Sequence, residues 1–251
     1  MHSINNLQLK TSQAALWLIG QSGFICKCCD KIIAIDPYLS DSVAKKSPKL
    51  TRKYPPPIKP SDLKVDFFIV THDHLDHLDP ETISEYKHKQ TTKFIAPRLA
   101  SQKLMQLGIN KDNIITIDSG QSRNIDSISI EGVYTIPNEP KVIDTCGYFV
   151  KFPNGRSFYH TSDTDLSDLL LDAAPNAEVG LFCINGKWGN MNAEKAARLA
   201  AKVKPKFAIP HHYDLMELNS ENPEFFRYCM SYTEPAIQVE ILQLMQPFIW
   251  D

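Results

Sequence analysis

No stretch of the 251 residues approaches the roughly 18 consecutive apolar side chains that a bilayer-spanning helix requires. The opening residues Met1-His2-Ser3-Ile4-Asn5-Asn6 also lack the basic-then-apolar order of a secretion signal, so the expected compartment is the cytoplasm, with no membrane partner. An excess of positive charge is missing too. Lys and Arg number 27 against 29 Asp and Glu, a formal net charge of -2, and no basic run is interleaved with aromatics. Nucleic acid is therefore not an expected partner. Of the six cysteines, Cys26, Cys28 and Cys29 crowd one predicted strand, where Cys26 and Cys29 form the one Cys-x-x-Cys spacing, and Cys146, Cys183 and Cys229 are scattered. That usage fits reduced thiols. A thiolate metal site at Cys26 and Cys28 would lack a second pair of ligands, which leaves strand packing as the better reading.

What is present is an ordinary globular composition, 43% hydrophobic and 22% charged, over a length that suits one large domain spanning 1–251. Apolar runs of strand length fall at 14–19, 24–28, 32–35, 65–70, 114–117, 128–136, 146–152, 157–161, 178–184, 207–210 and 237–241, with a short one at Ile95. Gly20-Gln21-Ser22-Gly23 and Pro153-Asn154-Gly155-Arg156 read as hairpin turns. Helices are predicted at 79–86, at 97–107 before Gly108, after Asn192 with an apolar face of Ala196, Leu199, Ala200 and Val203, and from Asn222-Pro223. Between 40 and 61 the composition turns to Lys, Ser and Pro, which predicts a loop of the length often used as a lid.

Polar clusters end several of these strands: Asp36, the run from His72 to Asp79, His160 to Asp163, and His211 to Asp214. The densest holds three histidines and three aspartates in eight residues, His72-Asp73-His74-Leu75-Asp76-His77-Leu78-Asp79. Side chains two apart in an extended segment point the same way, which aims His72 and His74 together; Asp76 and His77 follow where the chain turns into a helix. Imidazole and carboxylate donors converging on one volume suit Zn²⁺ or Mn²⁺, and without a metal the cluster would be a costly concentration of polar groups at a core edge. Asp36 either orients a nearby metal ligand or caps the following turn. A sheet that brings several strand ends to one edge would join these segments into one site.

The motif His-x-His-x-Asp-His formed by His72, His74, Asp76 and His77 resembles the hallmark of the metallo-β-lactamase superfamily. Trp17-Leu18-Ile19-Gly20-Gln21-Ser22-Gly23-Phe24 and Ile35-Asp36-Pro37-Tyr38 resemble its opening strands. Ser162-Asp163-Thr164 is similar to the segment whose aspartate bridges two metals, and His212 falls where the last histidine ligand lies. Within the superfamily, Ile209-Pro210-His211-His212-Tyr213-Asp214 and Gln246-Pro247-Phe248-Ile249-Trp250 resemble the L-ascorbate-6-phosphate lactonase-like branch. The resemblance implies an α/β fold, a four-layer αββα sandwich with one or two divalent ions held at its edge by His72, His74, Asp76, His77, Asp163 and His212. One position departs from it. Where dinuclear relatives place a histidine after Ile136-Pro137, this chain has Pro140 within Asn138-Glu139-Pro140-Lys141. His72 and His74 would then form the poorer of two sites unless Glu139 is recruited.

The implied activity is metal-dependent hydrolysis of a small-molecule substrate, a lactone of a sugar acid or sugar phosphate, with a bound divalent ion activating water and Asp76 orienting or deprotonating it. Lys187, in the glycine-flanked segment Asn185-Gly186-Lys187-Trp188-Gly189, is the candidate for an anionic substrate group, though a solvated lysine would look the same. His211 and Tyr213 either polarise the carbonyl and protonate the leaving alkoxide or only support the neighbouring ligand. The alternatives are a phosphodiesterase, as in other relatives with this motif, and a binding protein whose chemistry the missing histidine has disabled. A homo-oligomer stays open.

Overall fold

The structure is a computed structural model describing residues 1–137 and 143–251. Among the described residues, fourteen strands are arranged in two seven-stranded sheets. The amino-terminal sheet uses β1 (Ala14–Gly20), β2 (Gly23–Cys28), β3 (Lys31–Ile35), β4 (Phe67–Ile69), β5 (Lys93–Ala96) and β6 (Ile114–Thr116). The other contains β7 (Ser122–Ile125), β8 (Ile128–Tyr134), β9 (Cys146–Lys151), β10 (Ser157–His160), β11 (Val179–Cys183), β12 (Phe207–His211) and β13 (Gln238–Val239). The last strand, β14 (Phe248–Trp250), returns to the first sheet, whose order is β14-β1-β2-β3-β4-β5-β6; the second runs β13-β12-β11-β10-β9-β8-β7. Each sheet is antiparallel at one end and parallel at the other, with β3 to β6 and β10 to β13 as the parallel halves.

Strand β1 shows how the sequence makes layers. Every one of its residues is buried, and alternate side chains divide between two cores: Ala14, Leu16 and Leu18 face the second sheet, while Ala15, Trp17 and Ile19 face outward under helices. On that outer face lie the helices Pro80–Glu85 and Arg98–Gln106, contributing Ile83, Ala100 and Leu104. The helix Ala193–Val203 covers the outer face of the second sheet with Ala196, Leu199, Ala200 and Val203, as its spacing predicts, beside the helix Pro223–Thr233. The four-layer α/β sandwich is therefore present. No helix among the described residues is long and apolar enough to cross a membrane.

Differences from the sequence reading are local. The predicted strand 65–70 shortens to Phe67–Ile69 and 237–241 to Gln238–Val239, although their flanks pair through single backbone hydrogen bonds. The segment 40–61 contains the short helix Ser42–Lys46 and two single turns. Buried Arg52 holds this segment, donating to the carbonyls of Tyr38, Ser40 and Tyr54, while Lys53 N donates to Leu215 O at 2.8 Å. It is packed as a wall against the segment after β12. The carboxyl-terminal residues that resemble one branch of the superfamily form β14, paired antiparallel with β1.

Candidate metal centre

Two buried clusters of donor atoms meet where the sheets come together. One is His72, His74 and Asp163; the other is Asp76, His77 and His212, each with ligand atoms within 4.8 Å of one another. The first four histidine-motif residues follow β4, Asp163 follows β10 and His212 follows β12, so both sheets contribute. Asp163 lies between the groups: one carboxylate oxygen is 3.5 Å from His77 Nε2 and the other 3.3 Å from His212 Nε2. Asp76 faces the same two nitrogens at 3.8 and 3.6 Å. Asp163 thus reaches both groups: its donor atom falls with those of His72 and His74, and its two oxygens approach His77 and His212. Residues 138–141, on which Pro140 and the recruitment of Glu139 turned, lie outside the described residues.

Asp36 explains how the histidines are prepared to bind. It is fully buried, accepting from Thr71 N at 2.8 Å, from the Thr71 hydroxyl at 2.6 Å and from His77 Nδ1 at 2.7 Å. Since its oxygens can only accept when ionised, His77 keeps a proton on Nδ1, which leaves Nε2 as the nitrogen that can face an ion. The Thr71 hydroxyl, having given its proton to Asp36, accepts from His72 Nδ1 at 2.9 Å, which frees His72 Nε2 in the same way. One carboxylate therefore sets two tautomers. Of the two roles left open for Asp36, the structure shows the orienting one.

The donor set fits a cation. His77 Nε2 is buried without a hydrogen-bond partner, yet it looks toward two carboxylates, an arrangement of lone pairs that calls for a positive charge between them. Burial alone would push the His77 pKa down, but Asp163, Asp76 and Asp36 together raise it well above the usual imidazole range. Burial likewise opposes ionisation of Asp163, and His212 and His77 overcome it to hold that carboxyl well below its usual range. His72 is the reverse case: burial, reinforced by His77, keeps it neutral and ready to donate a lone pair.

Comparison with known proteins identifies the architecture. The family described as the β-lactamase superfamily domain matches residues 31–213, most of the chain and all six candidate ligands. The chain belongs to the metallo-β-lactamase superfamily. It is 28% identical over 206 residues to a UPF0173 metal-dependent hydrolase of Thermoplasma acidophilum, with 78% of this chain and 82% of that protein covered. A UPF0173 metal-dependent hydrolase of Archaeoglobus fulgidus is also 28% identical, over 90% of this chain and 94% of its own. Among solved structures, a metallo hydrolase from Ignicoccus hospitalis superposes with a TM-score of 0.76 at 22% identity, covering 95% of this chain and 99% of that one.

In this member of the superfamily the remaining candidates lie around the metal donors. His211 is fully buried and stacked on His160 at 4.4 Å; its Nδ1 is 3.1 Å from the Ser22 hydroxyl and its Nε2 3.4 Å from that of Thr161. Burial, then His160, hold its pKa well down. Tyr213 donates its hydroxyl to Leu242 O at 3.2 Å. Both place their polar atoms on protein partners. Lys187 is exposed and donates to Ser220 O at 3.1 Å. Its neighbour Trp188 lines the cavity in front of the donors.

Gln21 and Asn190 were not singled out from the sequence. Gln21 Nε2 donates to Asp76 Oδ2 at 2.9 Å beside the His212 ring, while His212 N donates to Gln21 O. Asn190 Nδ2 donates to Asp163 Oδ2 at 2.8 Å. Gln21 occupies the predicted hairpin turn and, like His212, has a positive φ, 55° and 65°. That conformation belongs to the folded turn; the sequence offered only a polar residue in the glycine-flanked segment Gly20-Gln21-Ser22-Gly23.

Proposed function

We propose that this chain is a metal-dependent hydrolase that opens a small lactone or related ester. The observation that carries the reading is Asp163, a carboxylate between two donor clusters, His72 with His74 and Asp76 with His77 and His212, at the floor of a cavity. Imidazole and carboxylate donors suit Zn²⁺ or Mn²⁺. When bound, such an ion lowers the pKa of water and polarises a carbonyl, so that no serine or cysteine nucleophile is needed.

The protein's part is orientation and proton handling. Asp36 and Thr71 hold the Nδ1 protons of His77 and His72, so that Nε2 is the nitrogen each turns to an ion, and Asn190 fixes the Asp163 carboxylate. Gln21 binds one oxygen of Asp76, leaving the other to accept a proton from water at the site. Likeness of 209–214 and 246–250 to the lactonase-like branch supports the lactone as substrate. Against a phosphodiester stands the lack of any lysine or arginine among the described residues lining the cavity.

The test is to measure metal content and turnover in wild type, Asp163→Ala and His212→Ala, with sugar-acid lactones compared against bis-aryl phosphates under one metal supplementation. Expected are metal loss in both variants and a preference for lactones. Full metal content with undiminished activity in both variants, or robust cleavage of the phosphates alone, would overturn the reading.

A further inference from the structure

The cavity in front of the donors has a volume of about 280 Å³ and is lined by Val43, Leu50, Leu75, Trp188 and Met216 together with His74, Asp76, Asp163 and Asn219. Its metal donors are His74, Asp76 and Asp163; apart from Asn219 the rest of its lining is aliphatic or aromatic. Of the neighbouring cations, Lys187 donates to the Ser220 carbonyl, Lys45 to Glu81 and Arg52 to three backbone carbonyls. None of the described residues lining the cavity is cationic, and burying an anionic substrate group against that wall would be costly.

Trp188 is an independent observation. It has a φ of 56° and is 64% exposed, between Gly186 and Gly189 at 63° and 83°. For a bulky aromatic, a left-handed backbone is an outlier maintained only when its surroundings impose it. Here they do: Asn190 N donates to Lys187 O, Gly186 N to Met191 O, and Asn190 ties the loop to Asp163. The loop that supports the bridging carboxylate thus also holds an indole out at the cavity's mouth. An apolar group filling the cavity would take part of that indole out of water. The opposite wall is equally fixed, since Val43 and Leu50 pack with Tyr38, Leu215 and Met216, and Arg52 bridges to Met216.

We infer that the substrate of this site carries an uncharged, apolar group, an alkyl or aryl substituent on the lactone or ester, which lies between Trp188 and the wall of Val43, Leu50 and Met216. This rests on the metal-hydrolase reading and replaces the anionic sugar group with an apolar one. It assigns Trp188, instead of Lys187, as the residue selecting substrate.

Straight-chain alkanohydroxamates from acetyl to octanoyl, titrated calorimetrically into the metal-loaded protein, report on the cavity without turnover. Affinity should rise about three- to fourfold per methylene until the wall is covered. Trp188→Ala should flatten that slope, and Trp188→Lys should shift preference toward a phosphorylated lactone. In parallel, kcat/KM for alkyl-substituted γ-lactones should exceed that for phosphorylated sugar lactones in wild type. Chain-length slopes present in binding but no turnover of any lactone would support the apolar cavity and bring down the hydrolase reading instead. Affinity indifferent to chain length or to Trp188→Ala, or faster wild-type turnover of the phosphorylated lactone, would overturn the inference.

Discussion

Asp36 is the residue through which the metal donors are tuned, because its buried carboxylate receives the His77 proton directly and the His72 proton by way of Thr71. In Asp36→Asn an amide nitrogen would face His77 Nδ1, moving the imidazole proton to Nε2, where it blocks ligation. Metal affinity is expected to fall about 10- to 100-fold, with activity recovering at high metal concentration. Unchanged affinity in a competitive chelator titration of Asp36→Asn would remove the tautomer argument. A pH dependence follows at the same residues. In the metal-free protein, burial opposes the His77 imidazolium, but Asp163, Asp76 and Asp36 raise its pKa well above the usual range. That pairing stabilises the metal-free fold fully below the unfolded value of about 6.5 and ceases to do so as pH rises through the raised folded value. Metal must displace that proton. Affinity should therefore increase as pH rises from 6 through the raised value, with proton release on binding seen as buffer-dependent heat at neutral pH; buffer-independent heat would contradict it.

At the level of elements, the structure keeps what local chemistry could announce. Asp79, Asn192 and Asn222 accept backbone N–H bonds as helix caps, and all three were legible as an acceptor side chain just before a helical pattern. The first sheet's strands were legible where apolar side chains run continuously, since both faces are covered. The strand Ser122–Ile125 was not, because its first three residues are exposed and carry no apolar pattern, and the strand Phe248–Trp250 was too short to stand out from its neighbours. Pairing with β1, a contact from the other end of the chain, makes Phe248–Trp250 a strand. The helix Ala193–Val203 ends at Lys204, an exposed residue in the left-handed conformation at φ 51°. Glycine adopts that conformation without the Cβ penalty, and Lys204 makes no cap bond through its side chain, so Lys204→Gly should stabilise the protein by roughly 0.5 to 1 kcal/mol. The expected gain in melting temperature is about 2 °C by calorimetry, and an unchanged or lowered value would refute the prediction.

For the whole molecule, the site joins the two sheets. The candidate ligands His72, His74, Asp76 and His77 hang from the first sheet, and Asp163 and His212 from the second, so each cluster draws on both. The motif in the first sheet was evident in sequence because its residues are adjacent; that Asp163 would reach both donor groups could not be read from the residues alone, since that depends on where β10 ends relative to β4. Direct contacts bridge the sheets at this edge as well. Cys146 N donates to Thr71 O, His212 N to Gln21 O, and His160 is hydrogen-bonded through Nε2 to the Ser22 carbonyl. A metal bound only by the folded arrangement stabilises it by mass action, about 2.7 kcal/mol at a free concentration 100 times its dissociation constant and about 4.1 at 1,000 times. Chelation should then lower the melting temperature by roughly 10 °C. Because the clamp needs both sides, removing a ligand from either sheet should remove most of the metal-dependent shift. The double variant His72→Ala with Asp163→Ala should lose little more than either single one. If chelation strips the metal and melting is unaffected, or if the two variants reduce the shift independently, the ions do not join the sheets. The hydrogen bonds and core at that edge would then hold the sheets together by themselves.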